Sequence, residues 1–376
     1  MDRLTRLFTE FGQSPWLDNL MRRYLTDGTL EQLIADGVRG LTSNPTIFQK
    51  AIQGSSDYDE QFRGLIEQGR PVGDAYWELV LADIQDACER FAQVHRDSQG
   101  RDGFVSVEVD PGLAYDGPRT EVAARSLHQR IDRANLMVKI PGTREGIPAI
   151  QQMIAEGRSI NVTLIFSLDR YQRVMDAYLA GLEEHSRVDG AELSRVASVA
   201  SFFISRVDSE VDARLDAIGS PAALALRGKA AIAQARLAYR AFQQTFSGPR
   251  WDALAARGAR VQRPLWASTS TKNPAFPDTL YVDELIGPLT VNTLPDATLA
   301  AFADHGSLDR RIDADLDEAD SVWAGLAEVG VDMAEVCAKL ENDGVRSFQE
   351  SFDHLLAALA DKAAALSASP SDGNDG

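Results

Sequence analysis

Two spacings of apolar residues alternate along this chain. Short strand-like runs, most of them rich in apolar residues and 104–110 clearly alternating, occupy 38–44, 104–110, 136–140, 160–166, 196–204, 264–268 and 289–292. Runs of that kind read as strands buried on both faces. Between them the apolar positions step by three and four residues, the mark of a helix with one buried face. Leu168, Tyr171, Met175, Tyr178 and Leu182 form one such stripe, with Ser167 placed as its N-cap. Ile147, Ile150 and Ile154 form another, and Leu127 and Ile131 a third.

Strand–helix alternation with apolar strands predicts an α/β fold, a parallel sheet covered by helices. The seven runs become eight with the weakly patterned Ser14-Pro15-Trp16-Leu17-Asp18, and eight units close into a (β/α)8 TIM barrel. An open doubly wound sheet would normally carry a glycine-rich first turn, and none of the GxGxxG kind follows a strand here. Residues 247–263 read as a connection, and 308–366 as a helical C-terminal extension rich in Ala, Leu and acids. The expectation is one barrel domain over 1–366 with extra N- and C-terminal helices, and a disordered polar tail at 367–376.

Composition narrows the class. Of the 376 residues, 44% are hydrophobic and 25% charged, as in globular proteins, and no stretch approaches the ~20 apolar residues of a membrane span. A net charge of −18 disfavours nucleic acid and anionic membrane surfaces as partners, so an anionic substrate would need a local basic cluster. Cys88 and Cys337 make no disulfide framework, and the charged N-terminus leads into no apolar segment, which together point to the cytoplasm. The five histidines have no metal-ligand spacing.

The candidate chemistry lies on the strands. Lys139 stands inside Leu136-Met137-Val138-Lys139-Ile140-Pro141, where a lysine must reach water, find a partner or lose its proton. An unprotonated lysine is a nucleophile able to form a Schiff base with a carbonyl. A lysine at a strand end with its head in water satisfies the same pattern. Glu108 and Asp110 share a strand face, as do Asn161 and Thr163, and polar residues at such positions need partners inside the barrel. Glu108, through a water held by Thr163, suits proton transfer during dehydration of a carbinolamine, and the amides of Asn44 and Asn161 suit a triose's hydroxyls.

These segments resemble a known family. Gly40-Leu41-Thr42-Ser43-Asn44-Pro45-Thr46 is similar to the TSNPT signature of transaldolases. The strands around Glu108 and Lys139 resemble that family's catalytic strands, and Asn161-Val162-Thr163-Leu164-Ile165-Phe166-Ser167 resembles its NVTLIFS strand. The order also matches over roughly 14–295, and 266–274 resembles the longer bacterial subgroup.

The resemblance implies a class I aldolase barrel that needs no cofactor, with Lys139 as Schiff-base former. It implies Asp18 as the acid/base for carbon–carbon cleavage, Glu108 and Thr163 as water handlers, and Asn44 and Asn161 as holders of the dihydroxyacetone part. Ser201 and Arg206 would lie near the substrate and its phosphate, and Ser268 would add a phosphate contact. Two features depart from the family pattern. Asp18 follows Trp16-Leu17 instead of ending a DTGD-like strand, and no arginine follows Ser268 closely, Lys272 being the nearest cation.

The implied reaction moves dihydroxyacetone from sedoheptulose 7-phosphate to glyceraldehyde 3-phosphate in the non-oxidative pentose phosphate pathway. Small sugar phosphates are then the partners of a monomer or homodimer. An aldolase releasing free dihydroxyacetone, or a noncatalytic sugar-phosphate-binding barrel, would use the same residues.

Overall fold

The computed structural model describes residues 3–368. Eight parallel strands close a barrel in sequence order. They are β1 (Gln13–Leu17), β2 (Leu41–Thr42), β3 (Val105–Glu108), β4 (Leu136–Pro141), β5 (Ile160–Ile165), β6 (Ser198–Phe203), β7 (Arg263–Ala267) and β8 (Thr290–Leu294). Helices follow the strands as the apolar stripes predict. The helix Leu168–His185 is capped by Ser167, whose hydroxyl accepts from Arg170 N at 3.0 Å.

The weak N-terminal pattern is a full strand. β1 is held by β8 along its whole length, from Gln13 beside Thr290 to Leu17 beside Leu294. Ser14 and Trp16 join an ion cluster in the barrel's N-terminal half, while Gln13 donates to Leu285 O and Thr290 Oγ1. Asp102 is fully buried and accepts from Ser14 Oγ (2.8 Å), Trp16 Nε1 (3.2 Å), Arg39 Nε (2.8 Å) and Arg263 Nη2 (3.0 Å). Burial alone would raise its affinity for a proton, but Arg263 and Arg39 outweigh that and hold it below the ordinary carboxylate range. Gly40 lies so close to Trp16 that a Cβ there would meet the indole at 2.6 Å.

Three expectations are corrected. The 38–44 run pairs regularly only at Leu41–Thr42, because Arg39 N and Gly40 O bond β1 directly while the chain passes beneath Trp16. The 247–263 connection contains the helix Pro249–Ala255, which buries Trp251 and Leu254. The last helix, Met333–Ala368, runs two residues past the expected boundary at Leu366, and 369–376 of the expected tail lie outside the described residues.

That last helix is 36 residues long and crosses the C-terminal mouth of the barrel. It meets the segments that leave four strands there. Thr46 donates to Ser351 Oγ (2.8 Å) after β2, and Tyr115 to Asn342 Oδ1 (2.9 Å) after β3. Cys337 Sγ approaches Phe166 O (2.9 Å) after β5, and Lys339 pairs with Glu210 (3.0 Å) after β6. Among the described residues no helix is long and apolar enough to cross a membrane.

β5 carries a second local feature. Its pairing with β6 slips between Val162 and Ile165, and Leu164 adopts φ +56°. A branched side chain in that region is strained by roughly 1–2 kcal/mol, so packing must hold it there.

Candidate active site

Parallel register brings the strand polar residues into one row. Glu108 lies beside Lys139 and Lys139 beside Asn161, on β3, β4 and β5. Period two then points Glu108, Lys139, Asn161 and Thr163 into the barrel. Lys139 and Glu108 keep only 6% and 5% of their surface, so a shared charge interaction is required for either to be ionised.

The pairing is specific. Lys139 Nζ lies 3.2 Å from Glu108 Oε2 and donates to the carbonyl of Ser43 at 2.7 Å. Thr163 donates to the other carboxylate oxygen, Oε1, at 3.0 Å. Apart from the lysine, Oε2 has no partner. One proton passed from Nζ to Oε2 therefore leaves a neutral amine beside a carboxylic acid. That is the state a lysine nucleophile needs.

Asn161 is fixed on both sides, donating to Ser106 Oγ (3.1 Å) and accepting from Ser201 Oγ (2.7 Å). Asn44 caps the helix Pro45–Gln53, accepting from Ile47 N at 2.9 Å, which commits its carbonyl oxygen and leaves its NH2 without a partner among the described residues. Asp18 follows β1 immediately and is partly accessible from the mouth. Thr42 donates to its Oδ1 at 2.8 Å, and Thr293 stands 2.7 Å from the same hydroxyl. Withdrawal from water raises Asp18 above the ordinary carboxylate range and Glu108 adds to the rise, while the Lys139 charge and the Thr42 hydrogen bond oppose it.

The cationic side of the mouth is formed where β6 and β7 end. Ser205 N donates to Ser268 O (3.0 Å), and the two serine hydroxyls are 3.0 Å apart. Ser205 opens the helix Ser205–Ile218, which carries Arg206 in its first turn. Burial lowers the basicity of Arg206, with the Asp343 charge opposing, and among the described residues no hydrogen bond or ion pair holds its guanidinium. Lys272 is not brought into this group; it is exposed and bonds Ser270 Oγ at 2.7 Å. Asp110, paired with Glu108 by spacing, turns away and caps the short turn Pro111–Leu113 through Gly112 N (2.8 Å).

Several participants escape a reading of the sequence. Thr42 and Thr293 hold Asp18, Ser106 holds Asn161, and a backbone carbonyl at Ser43 holds Lys139. Period two from Glu108 would find Ser106, and Thr42 lies inside the signature segment. The contact of Thr293 with Thr42 depends on barrel closure across β1 and on nothing local.

Fold and site together define a (β/α)8 barrel whose centre is a buried amine–carboxylate pair at the C-terminal strand ends, where barrel enzymes keep their chemistry. Residues 15–359 match the family described as Transaldolase/Fructose-6-phosphate aldolase. The chain is 55% identical over 347 residues to a transaldolase of Parafrankia sp., covering 92% of this chain and 94% of that protein. It is 53% identical over 351 residues to the transaldolase of Frankia alni, covering 93% and 94%. With that of Thiobacillus denitrificans it shares 48% identity over 357 residues, covering 95% and 99%. The chain belongs to the transaldolase/fructose-6-phosphate aldolase family and is an enzyme of it.

Proposed function

We propose that this enzyme is a transaldolase that moves a dihydroxyacetone unit from sedoheptulose 7-phosphate to glyceraldehyde 3-phosphate through a Schiff base on Lys139. The observation that carries this reading is Lys139 Nζ set 3.2 Å from a carboxylate oxygen that has no other partner. Glu108 takes the ammonium proton, and the amine adds to the ketone carbon. The carbinolamine loses water as Glu108 returns the proton, through a water held at Thr163. Asp18 then takes the proton of the hydroxyl beyond the scissile bond. That bond breaks, the aldose phosphate leaves, and its electron pair stays as an enamine on Lys139. Addition of the enamine to a second aldose, with the proton returned by Asp18, and hydrolysis of the imine complete the transfer. Asn44, Asn161 and Ser201 hold the three-carbon unit.

Arg206, Ser268 and the N-terminus of the helix Ser205–Ile218 supply the phosphate end, since an unpaired guanidinium beside a helix start favours an anion. Lys272, exposed and bonded to Ser270, is left out of this group. Two free cysteines fit a reducing compartment, and we place the enzyme in the cytoplasm, in the non-oxidative pentose phosphate pathway.

The test is an assay with sedoheptulose 7-phosphate, run with and without glyceraldehyde 3-phosphate. Sustained turnover is expected only with the acceptor, and without it a single burst of erythrose 4-phosphate per site. Continuous release of dihydroxyacetone without acceptor would assign an aldolase instead, and no binding-linked turnover at all a noncatalytic barrel. Arg206→Ala is expected to raise KM for phosphorylated substrates about 10- to 100-fold while changing unphosphorylated analogues little. An equal change for both would remove Arg206 from the phosphate site.

A further inference from the structure

An arginine reserved for a phosphate has conflicting needs. A carboxylate partner would fix it but also neutralise it, and a free one would lose about 2 kcal/mol of rotamer entropy when it bound. Arg206 meets neither difficulty in the usual way. The carboxylate that couples to it, Asp343, is already bonded by Lys339 at 2.7 Å and by Arg346. Two aromatic rings flank the guanidinium instead, Phe203 at 5.4 Å and Phe348 at 6.0 Å from their centroids. Phe203 ends β6, whereas Phe348 comes from the helix across the mouth and is buried.

The same helix face has been shaped for this contact. Gly344 stands one turn before Phe348, and a methyl there would lie 2.9 Å from Leu164 Cδ2 and 3.6 Å from Arg206 Nη1. Glycine inside a helix costs roughly 1 kcal/mol against alanine, so an interior glycine calls for a reason in packing. Here it admits the strained Leu164, beside which the guanidinium lies. One turn after Phe348, Phe352 stacks edge-on with Tyr76 (5.3 Å) and bounds a cavity of about 10 Å³ together with Asn44 and Glu108. Gly344, Phe348 and Phe352 thus form one seam at i, i+4 and i+8, facing the site along its length.

We propose that Phe348 is a positioning residue for Arg206, its ring face holding the guanidinium in a phosphate-ready attitude without cancelling its charge. This rests on the reading of Arg206 as the phosphate contact. A cation held over an aromatic face keeps its full charge for an anion on the other side, which a salt bridge does not. The C-terminal helix is then part of the substrate site.

The experiment compares Phe348→Leu and Phe348→Tyr with the wild type and with Arg206→Ala, using sedoheptulose 7-phosphate and an unphosphorylated ketose as donors. Phe348→Leu keeps an apolar side chain in place, so thermal unfolding should stay cooperative. It should raise KM for the phosphorylated donor about 3- to 20-fold, with kcat within twofold and the unphosphorylated donor unaffected. Phe348→Tyr retains the ring face and should restore a KM near wild type. The Arg206→Ala/Phe348→Leu double variant should be no worse than Arg206→Ala alone. A wild-type KM in Phe348→Leu, or an equal loss on both donors, overturns the inference. If Arg206→Ala itself fails to discriminate between the donors, the reading of Arg206 has failed instead.

Discussion

Lys139→Ala is expected to lower transfer activity on the order of 10⁴-fold or more, because among the described residues no other amine pairs with Glu108. The protein should still fold. Removing one partner of a buried ion pair can cost about 3–5 kcal/mol when the other stays charged, but Glu108 can take up a proton and escape most of that cost. Borohydride added with a ketose phosphate should reduce the imine to a stable secondary amine in the wild type, and peptide mapping should place the adduct on Lys139. Retained transfer in Lys139→Ala, or an adduct on another lysine, would end the Schiff-base assignment.

Asp18→Asn should separate the two halves of the chemistry. In the proposed mechanism imine formation draws on Lys139, Glu108 and Thr163, whereas breaking the carbon–carbon bond needs a base at the far side of the substrate. The variant is expected to lose about 10²- to 10⁴-fold in kcat yet still be trapped by borohydride, now with the intact ketose skeleton. Wild-type enzyme should yield the three-carbon adduct as well. Intact-protein mass distinguishes the two, and a three-carbon adduct at the normal rate in Asp18→Asn would move the base elsewhere. Desolvation raises the proton affinity of Asp18, and a base must be ionised to act. Wild-type kcat/KM should therefore fall as pH drops through a value above the ordinary 3.8 of a free aspartate.

The barrel was legible because buried parallel strands leave continuous apolar runs, and seven of the eight did. β1 was faint for a physical reason. Ser14 and Trp16 face an ion cluster and not an apolar interior, so the strand lacks the Val and Ile that mark β4 and β5. Lys139, Glu108, Asn161 and Thr163 could be picked out as polar residues on apolar strands, and register then gathered them. Arg206 could be found only by resemblance, since an arginine at a helix start has no local signal. Thr293, Ser43 O and Phe348 were beyond reach, because their contacts join segments 96 to 251 residues apart in sequence, or cross from the last helix to the helix Ser205–Ile218.

The ion cluster around Asp102 has an effect far from its own contacts. Trp16, Arg39 and Arg263 pack around Asp102 across the floor of the barrel, so in the proposed reaction substrate reaches Lys139 from the C-terminal mouth, which the last helix crosses. In the proposed transfer the first aldose leaves at the same end of the barrel at which the second arrives. Departure and arrival are made to take turns, and the three-carbon passenger waits on the lysine between them.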